Sequence, residues 1–170
     1  MDIPVVSPLR PHTWVSPKVE LRQGEEGLGV YAREAVDADE VLVGLGHVFV
    51  DKPARHTIQL DEFLHQAGTG ETDDYFNHSC DPNAYLDFQR LQFVAVRPIA
   101  AGEEISFNYL TSEWHMAAPF TCRCGAAGCF GEIRGFFHLS SEQQDGLARW
   151  ISPYLQRRLA EQRALERQVG

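Results

Sequence analysis

The sequence predicts a mainly β domain with short helices, followed by a helical tail. From Val19 to Tyr109, apolar residues come in short β-rich runs broken by Gly, Pro and Asp, with few 3.6-residue periodicities. After Ser140 the spacing becomes helical. The length sets the scale: 170 residues, 44% hydrophobic and 23% charged, supply one core and exclude two large domains or a disordered chain.

Taken in order, residues 1–18 are rich in proline and read as an extended arm. They carry neither the basic start nor the apolar stretch of a secretory signal, so an intracellular, cytoplasmic protein is expected, with a nuclear one equally in keeping for a eukaryotic source. Strands are expected at Gly29–Ala32, Val41–Leu45, His47–Val50, Ala84–Phe88, Leu91–Val96 and Glu104–Phe107. Only Gln89-Arg90 separates the fourth from the fifth, which predicts a hairpin. Asp61–Ala67 reads as a short helix, capped by Asp61 and ended by Gly68. Ala35–Glu40 and Pro98–Glu103 echo each other, each placing a turn before a strand. In the tail, Ser140-Ser141-Glu142 starts a helix and Ser152-Pro153 restarts one, with Leu147, Trp150, Ile151, Tyr154, Leu155 and Leu159 as the apolar stripe that packs back on the core.

The net charge is −9, and residues 20–74, with 13 Asp/Glu and 4 Lys/Arg, account for all of it. This argues against direct nucleic-acid contact, which normally requires a basic face. It leaves two readings, a solvated acidic face or a surface that attracts a cationic partner. The longest apolar runs, Val41–Leu45 and Phe93–Val96, fall far short of the roughly 18 residues of a membrane span. Oligomeric state is not legible at this level.

Four cysteines in a chain of this kind are better metal ligands than disulfide partners. Cys122, Cys124 and Cys129 form a C-x-C-x4-C cluster with Gly125 and Gly128 between them. Tetrahedral zinc needs a fourth ligand, and Cys80 is the remaining thiol. A site closed by four thiolates has no open position, so its zinc is structural.

Cys80 itself lies in Asn77-His78-Ser79-Cys80-Asp81-Pro82-Asn83, a string dense in hydrogen-bonding groups. Upstream is Gly27-Leu28-Gly29, where glycine permits close backbone approach. Downstream is Gly102-Glu103-Glu104-Ile105-Ser106-Phe107-Asn108-Tyr109, which puts Phe107 and Tyr109 on one strand face. In this order, and with the cysteine cluster behind them, these motifs resemble the SET-domain family of protein lysine methyltransferases with a post-SET zinc segment. The resemblance covers about residues 19–133. It divides the chain into an arm (1–18), a SET domain (19–117), a post-SET zinc segment (118–133) and a helical extension (134–170).

The resemblance implies a β-clip-like fold with a pseudoknot, in which the chain after the tyrosine strand threads beneath the Asn-His segment. It implies transfer of a methyl group from S-adenosylmethionine to a lysine amine of a protein or peptide. It assigns Tyr109 as the catalytic tyrosine and Gly27, Leu28, Gly29, Asn77, His78, Tyr109 and Phe120 to the cofactor. Tyr75, Phe107 and Tyr109 would line the substrate channel, with Tyr85 and Trp114 as further aromatics, and structural zinc would sit on Cys80, Cys122, Cys124 and Cys129. Two departures bear on substrate: Asp74 stands where many relatives have arginine, and only 47 residues separate Gly29 from Asn77, a short insert. A SET-fold enzyme of small amines and a non-catalytic SET binding module are the alternatives.

Overall fold

The structure, a computed structural model, describes residues 12–169, so most of the expected arm lies outside the described residues. The strands are β1 (Trp14–Val15), β2 (Val19–Gly24), β3 (Gly27–Ala32), β4 (Val41–Gly44), β5 (Phe49–Val50), β6 (Ile58–Asp61), β7 (Leu64–Gln66), β8 (Asn77–His78), β9 (Ala84–Asp87), β10 (Gln92–Ala95), β11 (Glu104–Phe107), β12 (Phe120–Thr121) and β13 (Glu132–Ile133). Helices α1 (Ser141–Leu147) and α2 (Pro153–Val169) close the chain. The strands form four small sheets, β1-β4-β10-β9, β2-β3-β11-β8, β5-β7-β6 and β12-β13. All pairings are antiparallel except β8 with β11.

The first two sheets enclose the main core, built on Val30, Leu42, Val43, Phe76, Phe93, Ile105 and Phe107. Large apolar side chains sealed this completely each contribute about 2–3 kcal/mol. A second cluster of Trp114, Phe136, Ile151, Tyr154, Leu155 and Leu159 holds the tail against the body. Its helices start where capping chemistry sets them. Ser140 and Gln143 form a reciprocal capping box on α1, and Ser152 Oγ accepts from the Leu155 N–H at the start of α2. Helix α1 ends at Leu147, so Trp150 and Ile151 lie in the connection between the helices. Among the described residues, no helix is long and apolar enough to cross a membrane.

The two echoing segments turn out to be partners. Val36 and Ile99 exchange both backbone hydrogen bonds at 2.9 Å. Each turn is also closed in the same way: Glu40 accepts from the Asp37 N–H, and Glu103 accepts from the Ala100 N–H. The residue before each glutamate has positive φ, Asp39 at 67° and Gly102 at 85°.

One expectation is overturned. Asp61–Ala67 is not a helix: β6 and β7 form a hairpin turning at Glu62-Phe63. A seven-residue helix has little stability of its own. The extended form instead joins β5 and ties β6 to the chain beyond Tyr109. The Gln59 N–H donates to Glu113 Oε1 at 2.8 Å, and Gln59 Oε1 accepts from the Trp114 N–H at 2.9 Å.

Candidate active site and metal centre

Strand β11 brings the motifs together because it has two neighbours. On one side Glu104 and Ile105 pair with Tyr31 and Val30 of β3; on the other, Ser106 and Phe107 run parallel to Asn77 and His78 of β8. The glycine turn and the Asn-His segment, 47 residues apart in sequence, thus flank one strand. At their junction Asn77 Nδ2 donates to Glu104 Oε1 at 2.7 Å. A Cβ on Gly29 would lie 2.8 Å from that carboxylate oxygen and 3.0 Å from that amide nitrogen. Gly29 is therefore glycine for lack of room, whereas Gly27, at φ 108°, is glycine for its backbone conformation. Leu28, between them, is exposed.

Asn83 explains the second half of the Asn-His string. It is buried, its Nδ2 donates to the Glu104 carbonyl at 2.8 Å, and its Oδ1 accepts from the Ser106 N–H at 2.9 Å. This side chain ties the entry to β9 onto β11.

Strand β11 ends at Phe107, so Tyr109 does not share a strand face with it but opens the 3-10 turn Tyr109–Thr111, capped by Asn108. The Tyr109 hydroxyl donates to the Phe76 carbonyl at 2.6 Å, and its N–H donates to His78 Nδ1 at 3.1 Å. These bonds tie the chain after β11 to the segment Phe76–His78. Burial pushes the Tyr109 hydroxyl well above its ordinary value, so it stays protonated. Burial also pushes His78 down to about 4, which keeps its imidazole neutral at physiological pH.

The rings of His78, Tyr109 and Phe120 meet edge to face with centroids 5.2–6.0 Å apart, so Phe120 of β12 closes this corner. Phe107 stands 5.0 Å behind Tyr109 and packs into the core on Phe93 and Phe76. Tyr75 sits at the end of a single 3-10 turn, Thr72–Tyr75, with its ring 6.1 Å from that of His56. The two further aromatics lie elsewhere. Tyr85 pairs with Trp150, and Trp114 is buried in the tail cluster. Glu104 and the Phe76 carbonyl are contributors that sequence reasoning did not single out; Glu104 had only its place in the Gly-Glu-Glu motif as a signal.

The cysteines converge as expected. Their four sulfurs lie within 4.8 Å of one another, with Cys80 Sγ 3.8 Å from Cys122 Sγ and 3.9 Å from Cys129 Sγ. Tetrahedral zinc with sulfur ligands at about 2.3 Å places those sulfurs about 3.8 Å apart, so the set fits this metal. Backbone N–H groups of Phe130, Cys124 and Gly131 point at Cys80, Cys122 and Cys129 at 3.4–3.5 Å, which favours thiolate. Burial, reinforced by the neighbouring Cys122 and Cys124 sulfurs, pushes the Cys80 thiol up, and a divalent cation would reverse that by stabilising its thiolate. Gly125 and Gly131, at φ 71° and 74°, make the turns that bend this segment around the sulfurs.

Comparison with known proteins agrees with this geometry. Residues 27–110 match the SET domain family model. Methyltransferase flvH of Aspergillus flavus is 35% identical over 89 residues, covering 51% of this chain and 48% of that protein. A histone-lysine N-methyltransferase, H3 lysine-36 specific, of Aspergillus oryzae is 32% identical over 133 residues, 75% of this chain and 13% of the other. Histone-lysine N-methyltransferase Set2 of Drosophila melanogaster is 32% identical over 115 residues, 62% of this chain and 5% of the other. The chain thus spans about half of the first relative and a small part of the others. The crystal structure of KRYPTONITE with mCHG DNA and SAH shares the fold, with a TM-score of 0.57 at 21% identity over 67% of this chain and 28% of that one. The family match opens at Gly27, the first glycine of β3, and closes one residue past Tyr109, enclosing the convergence described above, so residues 27–110 of this chain form a SET domain.

Proposed function

We propose that this chain is an S-adenosylmethionine-dependent methyltransferase that methylates lysine side-chain amines of a protein or peptide. The observation that carries the reading is the meeting of Gly29, Asn77 and Glu104 with the His78, Tyr109 and Phe120 rings around one strand junction. Relatives named as histone-lysine N-methyltransferases support the activity, and a KRYPTONITE structure with an H3(1-15) peptide and SAH supports both ligands.

The residues fit the cofactor on their own terms. Gly29 packs against the Asn77–Glu104 pair with no room for a side chain, and that pair offers a donor and an anionic acceptor to a group that is itself zwitterionic. Bound there, S-adenosylmethionine supplies an activated methyl group on a positive sulfonium. The chain's part is positioning. Tyr109, held protonated and anchored on Phe76 O, orients the reacting centre through its remaining lone pairs and takes up no proton. The lysine must arrive neutral, and burial beside aromatic rings lowers its pKa from about 10.4 toward that state. Its proton leaves to water. The acidic 20–74 region favours a basic substrate segment; Glu71, Asp73 and Asp74 lie in or next to the turn that ends at Tyr75.

Zinc on Cys80, Cys122, Cys124 and Cys129 would hold β12, and with it Phe120, against His78 and Tyr109. KRYPTONITE's structures contain DNA, whereas the net charge of −9 here speaks for a protein or peptide substrate without direct nucleic-acid contact.

The test is calorimetric titration of zinc-loaded protein with S-adenosylmethionine, followed by labelled methyl transfer to lysine peptides. Wild type should bind, Asn77→Ala should not, and Tyr109→Phe should bind but transfer slowly. A folded, zinc-loaded protein that binds no S-adenosylmethionine overturns the reading.

A further inference from the structure

His78 sits between the metal cluster and the tyrosine, and both of its ring nitrogens are used. Nδ1 lies 3.1 Å from the backbone nitrogen of Tyr109, a group that can only donate, so Nδ1 must carry a lone pair. The ring proton is therefore on Nε2, which lies 3.3 Å from Cys80 Sγ. No polar ring atom is left over for a cofactor. The Tyr109 and Phe120 rings pack edge to face with the imidazole, with centroids at 5.2 Å and 5.6 Å.

We propose that His78 is a positioning residue that couples the metal site to Tyr109, donating from Nε2 to the Cys80 sulfur and accepting the Tyr109 N–H at Nδ1. The proposal rests on the metal and methyltransferase readings above and assigns this imidazole a task apart from cofactor binding. Its physical basis is reciprocal. A metal-bound thiolate is a charged acceptor, so it strengthens the Nε2–H bond and locks the tautomer. That tautomer is the one that presents a lone pair to Tyr109 and fixes where the 3-10 turn Tyr109–Thr111 begins. Conversely, the bond stabilises the ligating sulfur, and loss of such a partner typically costs 10–100-fold in metal affinity. Cys80 contributes at two levels, as a ligand and as the acceptor that sets the ring.

The full chain loaded with cadmium-113 in place of zinc tests this directly. Nitrogen-resolved NMR of the His78 ring should show a protonated Nε2, a bare Nδ1, and a scalar coupling from the Nε2 proton to cadmium through the Cys80 sulfur. Two variants divide the roles. His78→Asn retains an acceptor near Nδ1 but cannot reach Cys80, and should weaken zinc about 10–100-fold in chelator competition. His78→Gln extends a donor toward the Nε2 position and should recover most of that affinity while releasing the Tyr109 N–H to faster hydrogen exchange. A ring protonated at Nδ1, or bound cadmium with no coupling and unchanged zinc affinity in His78→Asn, sinks this proposal alone. Cadmium that fails to bind the four thiolates at all sinks the metal reading and this proposal with it.

Discussion

Replacing Glu113 by glutamine should make the protein more stable at pH 8 and leave it nearly unchanged at pH 5. Glu113 is buried, 7% exposed, and its Oε1 accepts from the Gln59 N–H at 2.8 Å and from the Ser112 hydroxyl at 2.9 Å. Burial outweighs those two bonds and raises its pKa from 4.5 to about 7. With the folded pKa above the unfolded one, the stabilisation is complete below about pH 4.5 and is lost as pH rises through about 7. At 1.36 kcal/mol per unit, the loss by pH 8 is about 3 kcal/mol. Glutamine keeps a carbonyl oxygen for both donors and carries no charge, though its amide must find a partner, so a gain of about 2–3 kcal/mol is the upper range. Urea unfolding of both proteins at pH 5, 6, 7 and 8 measures it. His78, held down near 4, contributes its own slope between about 4 and 6.5, but equally in both proteins, so it cancels in the difference. A difference between variant and wild type that stays flat from pH 5 to 8 would falsify the assignment of a protonated, buried Glu113.

Three other perturbations follow from the same contacts. Gly29→Ala forces a methyl group against Glu104 Oε1 and Asn77 Nδ2, and should weaken S-adenosylmethionine binding at least tenfold in calorimetry while far-ultraviolet circular dichroism stays native. Asn83→Ala leaves the Ser106 N–H and the Glu104 carbonyl without their partner, at a cost of about 2–3 kcal/mol in denaturant unfolding; a loss under about 0.5 kcal/mol would mean that water replaces the amide. Stripping metal with a strong chelator should free β12 and β13, seen as rapid hydrogen exchange at Thr121 and Glu132, while Val30, Phe93 and Ile105 in the core stay protected.

The sequence by itself determined the features whose physics is local. Glycines at positive φ, serine caps with proline at the first helical turn, and three cysteines within eight residues each act within a few bonds of themselves, so strands such as Glu104–Phe107 and both tail helices were legible. So was the likeness of Ala35–Glu40 to Pro98–Glu103, because each turn is closed by its own glutamate. That the two turns pair with each other was not legible, nor was the parallel pairing of β8 with β11, since strand partners are chosen by burial of shared faces and not by spacing along the chain. Asp61–Ala67 shows the limit most plainly: its capping signals are those of a helix, and bonds from Gln59 to Glu113 and Trp114, more than fifty residues away, hold the segment as a hairpin. The candidate site divides the same way. Asn77, His78, Cys80 and Tyr109 were visible as residue types in a familiar order. Only the tertiary structure decided that Gly29 lacks room for a methyl group, that Asn83 bolts two strands together, and that one imidazole faces a sulfur on one side and a backbone amide on the other. Apart from the contact of His78 with Cys80, those are distances between segments remote in sequence, and packing sets them.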